Sequence, residues 1–158
     1  MQWTKDLFSK YITLKEDGKV VCLIKNDSWS SFASVEFDGE KYGFYKKGFF
    51  TTTISIAHIP SGISVGSIHN KYLESLVRVK FKDETYNWKK EGFLSSKFYM
   101  RKGEETIISY VPKFSDGTIV TKVEDKLLVA TGMYIFLNNQ ASIAALIIIM
   151  SVIFLVNR

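Results

Sequence analysis

The chain has 158 residues, 46% of them hydrophobic and 15% aromatic, with only two prolines. That suits one domain able to bury a core without staples and excludes a disordered Pro-rich chain. The single cysteine, Cys22, excludes an intrachain disulfide, and the formal charge of +5 favours anionic partners through long-range attraction.

The N-terminal MQWTKDLFSKYITL carries no apolar run of signal-peptide length and no small-residue cleavage site, so the domain is expected inside the cell. Tyr11–Leu14 reads as a strand, Glu16-Asp17-Gly18 as a turn and Val20–Ile24 as the returning strand. Cys22 falls within that strand as a small buried hydrophobe. Val35 and Phe37 alternate with Glu36 and Asp38, the period of a half-buried strand. Asp38-Gly39 is a type I′ hairpin signal, and Tyr42 and Phe44 resume the alternation until Gly48 ends it. Phe49–Ile56, Ile63–Ile68 and Leu73–Phe81 follow. Lys82-Asp83 is a weaker turn, after which Tyr86 and Trp88 alternate up to Gly92. Phe93–Met100 and Thr106–Val111 come next, and Asp116-Gly117 is a turn signal ahead of Thr118–Val123. Short strands at this spacing, about eleven or twelve of them, point to a barrel or a sandwich.

The chain also repeats itself. Val20–Ile63 lies over Ser64–Ile107 without a gap, giving two 44-residue copies. Identities include Val21 with Val65, Ile24 with Ile68, Val35 with Val79, Phe37 with Phe81, Tyr42 with Tyr86 and Lys46 with Lys90, and the Gly48-Phe49 pair with Gly92-Phe93. VEFDGEKYGFYKKGFFTT in the first copy answers VKFKDETYNWKKEGFLSS in the second.

After Glu124-Asp125-Lys126 the pattern changes. Leu127–Leu137 is almost wholly apolar, and the acidic residues before it suit a helix N-terminus. A barrel of about twelve strands is too wide for wall side chains alone to fill, and this segment has the character to occupy it, with Gly132 allowing a strand to pack close. Asn138, Asn139 and Gln140 interrupt the run, and Ala141–Val156 is again apolar. Sixteen helical residues rise about 24 Å, short of a ~30 Å hydrocarbon core. Ala141–Val156 is therefore open to three readings: membrane insertion, docking as an apolar helix, or contact between copies in an oligomer. With Lys122 and Lys126 on the domain side, insertion would keep the barrel on the cytoplasmic face.

No phosphate-loop, dinucleotide or nucleophile-elbow motif occurs, so no catalytic residue is expected. His58 and His69 have no ligand spacing, and neither a metal nor a cofactor is expected. His58 reads as a surface or hydrogen-bonded histidine with no identifiable carboxylate partner, and Ser61–Gly66 as a turn rather than a phosphate nest. The informative cations are Lys46-Lys47 and Lys89-Lys90, each just before a Gly-Phe step or close to it. With Arg101-Lys102 they could form a basic rim beside exposed aromatics, attractive to anionic head groups; the alternative is that they are two solvated turn ends. Nucleic acid is not expected, because neither an RNA-binding aromatic motif nor a basic helix is present.

Trp3, the turn Glu16-Asp17-Gly18-Lys19, the repeated Y-x-[FW] followed by Lys and Gly-Phe, and the EDKLLVATGMY helix start together resemble the tubby C-terminal-like superfamily. That superfamily holds the tubby proteins, the phospholipid scramblases and the LURP-one-related proteins, and the likeness is to small bacterial members. It covers roughly residues 1–137, with residues 138–158 as an apolar tail. The resemblance implies a mainly β fold, a closed barrel of twelve strands around a central hydrophobic helix, and non-enzymatic roles at membranes. No phosphoinositide-binding motif can be matched residue by residue and no scramblase calcium-binding segment is present, so lipid binding enters by analogy. The expected function is a non-catalytic, membrane-associated or anionic-phospholipid-binding barrel. The alternative is a structural or protein-interaction barrel whose tail packs on a partner.

Overall fold

Twelve strands form one closed barrel in the computed structural model, which describes residues 1–5, 9–26, 32–47, 51–71, 76–91, 97–113 and 115–139, with only the backbone at 51, 52 and 71. In chain order they are β1 (Gln2–Lys5), β2 (Tyr11–Glu16), β3 (Lys19–Asn26), β4 (Phe32–Phe37), β5 (Glu40–Lys47) and β6 (Thr51–His58). Then come β7 (Ser64–Lys71), β8 (Leu76–Phe81), β9 (Glu84–Lys90), β10 (Phe98–Lys102), β11 (Glu105–Pro112) and β12 (Asp116–Thr121). Each strand pairs antiparallel with its sequence neighbours, and β1 pairs with β12 through Gln2–Thr118 and Trp3–Gly117. An even number of strands lets a simple meander close antiparallel, and closure removes both sheet edges.

The alternation read from the sequence sorts inside from outside. Ile12 and Leu14 on β2, Cys22 and Ile24 on β3, Val35 on β4, Phe44 on β5, and Val77, Val79 and Phe81 on β8 are all buried. Ile54 and Ile56 on β6, Ile68 on β7, Trp88 on β9, Phe98 and Met100 on β10, Ile108 and Tyr110 on β11, and Ile119 on β12 face inward with them. Outward positions carry Glu36, Lys41, Arg78 and Lys80. This is the inverse of an outer-membrane barrel, which turns apolar residues outward.

A helix over residues 126–139, α1, fills the interior. Leu127, Leu128, Val129, Ala130, Met133, Tyr134, Ile135 and Leu137 are buried in one cluster with the wall residues. Burial on every side explains why the segment is apolar all round. Tyr134 stacks on Phe44 at 4.4 Å, and Phe136 stacks on Phe98 at 4.5 Å. The Tyr110 hydroxyl donates to the Val129 carbonyl at 2.9 Å. Its ring sits over Gly132, where a Cβ would fall 2.1 Å from the hydroxyl oxygen. Glycine is what lets wall and helix approach this closely.

The start of α1 is clasped. Asp125 caps it, its Oδ1 accepting the Leu127 and Leu128 amides at 3.1 Å each. Its other oxygen accepts from Lys82 Nζ at 2.8 Å, while Lys126 Nζ donates to Asp38 at 2.7 Å. Asp38 and Lys82 hold the same place in the tight β4–β5 and β8–β9 turns, with φ of 50° and 47°. They lie 44 residues apart, so equivalent hairpin tips of opposite charge grip consecutive residues of opposite charge.

Strand placement follows the same spacing. β4 and β8 are six-residue strands 44 residues apart, and the register shifts at Ile56/Ala57 and Met100/Arg101 share that spacing. Several expected boundaries differ, three of them instructively. β1 was not anticipated, because its four residues bury one large side chain, Trp3, and show no period. Asp116-Gly117 lies within β12 rather than forming a turn. Gly117 is needed there because a Cβ would fall 2.4 Å from Trp3 Nε1. The strand expected at Phe93–Met100 is observed at Phe98–Lys102, with Lys97 outside it and 92–96 outside the described residues. Gly48, Phe49 and Ala141–Val156 also lie outside them.

Candidate functional site

An up-and-down barrel has two distinct ends. Every turn from an even to an odd strand lies at one end, here called the hairpin end: Asp17-Gly18, Asp38-Gly39, residues 59–63, Lys82-Asp83 and Gly103-Glu104. The chain also leaves β12 there to begin α1. The helix then runs to the opposite, tail end. There Phe136 lies against Phe98 near the start of β10, and the chain continues from residue 139 towards the apolar sequence 141–156.

Charge divides between these ends. The hairpin end carries Glu16, Asp17, Asp38, Glu40, Asp83, Glu84, Glu104, Glu105, Glu124 and Asp125 beside its lysines. The pairs Lys82–Asp125, Lys126–Asp38, Lys102–Glu84 and Lys122–Glu105 all sit there, at 2.7–2.9 Å. A polar mouth of about 830 Å³ opens around the helix start, lined by Phe37, Asp38, Tyr42, Lys82, Asp125 and Lys126 among others. The aspartates on Lys82 and Lys126 and Glu105 on Lys122 match its lysines. The tail end carries Lys5, Lys10, Lys25, Lys46, Lys47, Lys89, Lys90, Lys97 and Lys113, against Glu91 and Asp116 among the described residues.

The six expected site residues do not form one rim. Lys46 and Lys47 end β5 and Lys89 and Lys90 end β9, so both pairs lie at the tail end, but four strands apart around the barrel. Arg101 joins the second pair. Lys89 pairs with Tyr99 and Arg101 with Asn87 across β9–β10. Lys89, Lys90, Glu91, Tyr99, Arg101 and Thr106 line an outer groove of about 510 Å³. The Arg101 guanidinium lies 5.9 Å from the Tyr99 ring centre, an orientation a ring face favours for a cation. Arg101 Nε is buried without a hydrogen-bond partner. Tyr99 bonds to Glu91, which holds its hydroxyl above the usual range for a phenol. Lys102 belongs elsewhere: it lies at the hairpin end, bound to Glu84, which raises its pKa.

His58 has the carboxylate partner that sequence reasoning missed. Its Nε2 lies 2.5 Å from Glu40 Oε2, and its Nδ1 lies 2.8 Å from Ser61 Oγ. The partner was out of sight because Glu40 and His58 meet only through the β5–β6 register, in which Tyr42 faces His58. The three groups resemble a nucleophile, base and orienting acid, but the local amides are engaged. Ser61 Oγ accepts the Ile63 N–H, and the Gly62 N–H bonds to the His58 carbonyl. The adjacent donors are thus used by the turn rather than directed at an oxyanion. The cluster braces the β6–β7 connection.

Among the described residues no group of histidine, cysteine and carboxylate side chains could hold a metal, and no helix is long and apolar enough to cross a membrane. Cys22 is buried, and burial pushes its thiol up to about 12, so the thiolate required for nucleophilic chemistry does not form near neutral pH. Comparison with family models, curated proteins and solved structures yields no match to this chain.

Proposed function

We propose that the chain is a non-catalytic module that associates with membranes through anionic phospholipid, acting from the cytoplasmic face. One observation carries this reading: among the described residues the tail-end lysines have few carboxylates beside them, and from that end the chain runs on into the sequence Ala141–Val156. Basic charge and apolar sequence are the two terms that hold proteins on bilayers, each lysine near an anionic leaflet contributing on the order of 1 kcal/mol. The groove of Lys89, Lys90 and Arg101 supports the same reading, since it brings three cations, with Glu91, to one strand pair of the wall. The barrel around a central helix is the architecture that resemblance to the tubby C-terminal-like superfamily implies. The matching strands β4 and β8 and the two register shifts, each 44 residues apart, support an internal duplication.

Vesicle co-sedimentation tests the proposal. The full chain is expected to pellet with vesicles containing phosphatidylserine, less well as salt is raised, and less well with phosphatidylcholine alone. A chain ending at Gln140 should keep the anionic preference at lower affinity. If the full chain stays in the supernatant as a discrete oligomer that dissociates when the tail is removed, a protein-interaction barrel replaces this reading.

A further inference from the structure

The three exposed aromatic side chains of the described barrel gather in one place. Tyr11 is 44% exposed, Phe32 37% and Tyr45 39%. Tyr11 and Phe32 open β2 and β4, and Tyr45 is third from the end of β5, so all three are at the tail end. All three point outward, being out of phase with the buried Ile12, Ala33 and Phe44. Phe32 pairs with Tyr45, their ring centres 5.1 Å apart. Tyr11 pairs with Lys25 of β3, whose ammonium lies 5.8 Å from the ring centre. With strands about 4.8 Å apart, β2 to β5 spans roughly 14 Å, and the Tyr11–Lys25 and Phe32–Tyr45 contacts bridge its two sides, so the group is one patch. The exposed aliphatic residues Val20, Ile63 and Val120 lie towards the hairpin end.

Exposed rings next to lysine suit a bilayer interface, where an amphipathic ring sits at head-group depth and the ammonium meets lipid phosphate. We propose that the patch of Tyr11, Lys25, Phe32 and Tyr45 is the surface that docks on an anionic bilayer, so that the barrel stands on its tail end with the ion-paired hairpin end facing water. The inference rests on the membrane reading and adds to it a contact surface and an orientation. Charge complementarity selects the occupant. The patch shares its end with Lys5, Lys46, Lys47, Lys89 and Lys90, and with the point from which the apolar tail continues.

Position-resolved labelling of the full chain tests this. Cys22 stays unlabelled because it is buried and its thiol is pushed up to about 12. An environment-sensitive dye can then be placed at Tyr11→Cys or, at the opposite end, Val120→Cys. On adding phosphatidylserine vesicles the dye at 11 should shift to the blue and the dye at 120 should not. Lys25→Ala should weaken vesicle binding about fivefold, and Lys19→Ala at the hairpin end should leave it unchanged. Vesicle binding with a silent dye at 11, or with a response at 120, overturns the orientation and leaves the membrane reading standing. No sedimentation with any vesicle overturns both.

Discussion

Gly132 and Tyr110 are matched across the contact between wall and helix. A methyl group at 132 would displace the Tyr110 hydroxyl, and with it the bond to Val129. Gly132→Ala is therefore expected to destabilise the fold by roughly 1–3 kcal/mol despite its gain in helix propensity, as read from urea unfolding. Tyr110→Phe removes the atom nearest the new methyl, so the double variant should recover part of that loss. Cys22 gives a pH signature. Its thiol ionises near 9 when exposed and at about 12 when folded, so the unfolded chain releases the proton first. The stabilisation is complete below pH 9 and is lost as pH rises towards 12, at up to ~1.4 kcal/mol per pH unit. Denaturant unfolding across that range should show the decline, and Cys22→Ala should delay its onset.

Capping and ion pairing meet in Asp125, and they can be separated. One carboxylate oxygen serves the helix amides and the other Lys82. Asp125→Ala removes both and should cost about 1–2 kcal/mol. Asp125→Asn keeps a capping oxygen and loses the ionic attraction, worth below ~1 kcal/mol at a partly exposed site. The asparagine variant should thus lie close to wild type in urea midpoint, the more so in high salt. The helix and hairpins that this clasp joins were legible in the sequence because their signals are local. Two-residue alternation marks Val35 and Phe37, Asp38-Gly39 marks a turn, and the apolar run at Leu127–Leu137 marks an element buried on all sides. Lys82-Asp83 carries no glycine, yet both its residues adopt positive φ, 47° and 64°. The hairpin register imposes what the residue types alone do not favour. Gly117 misled for the opposite reason: a glycine beside aspartate signals a turn, but here it clears room for Trp3.

Where the charges sit is a property of the whole ring. Lys46-Lys47 and Lys89-Lys90 are visible as neighbours in the chain, and their shared end follows once β5 and β9 are known to be odd-numbered strands of one meander. Lys102 looked like their companion because it follows Arg101, yet it is the last residue of β10, beside the Gly103-Glu104 turn, where Glu84 holds it. The patch of Tyr11, Phe32 and Tyr45 could not be read locally either. Alternation shows only that each points outward, and their meeting depends on three pairings in succession, β2 with β3, β3 with β4 and β4 with β5.

The seam between β1 and β12 bears on how such a molecule is made. The first strand of the barrel needs a partner that emerges more than a hundred residues later, and the segment that occupies the lumen emerges after that. Threading a finished cylinder is avoided by natural chains, so the curved sheet is expected to stay open, with β1 unpaired, until α1 has settled on the inner surface. Zipping the first strand to the last is then the step that commits the chain, and amides along that join should be the last to gain protection from hydrogen exchange during refolding.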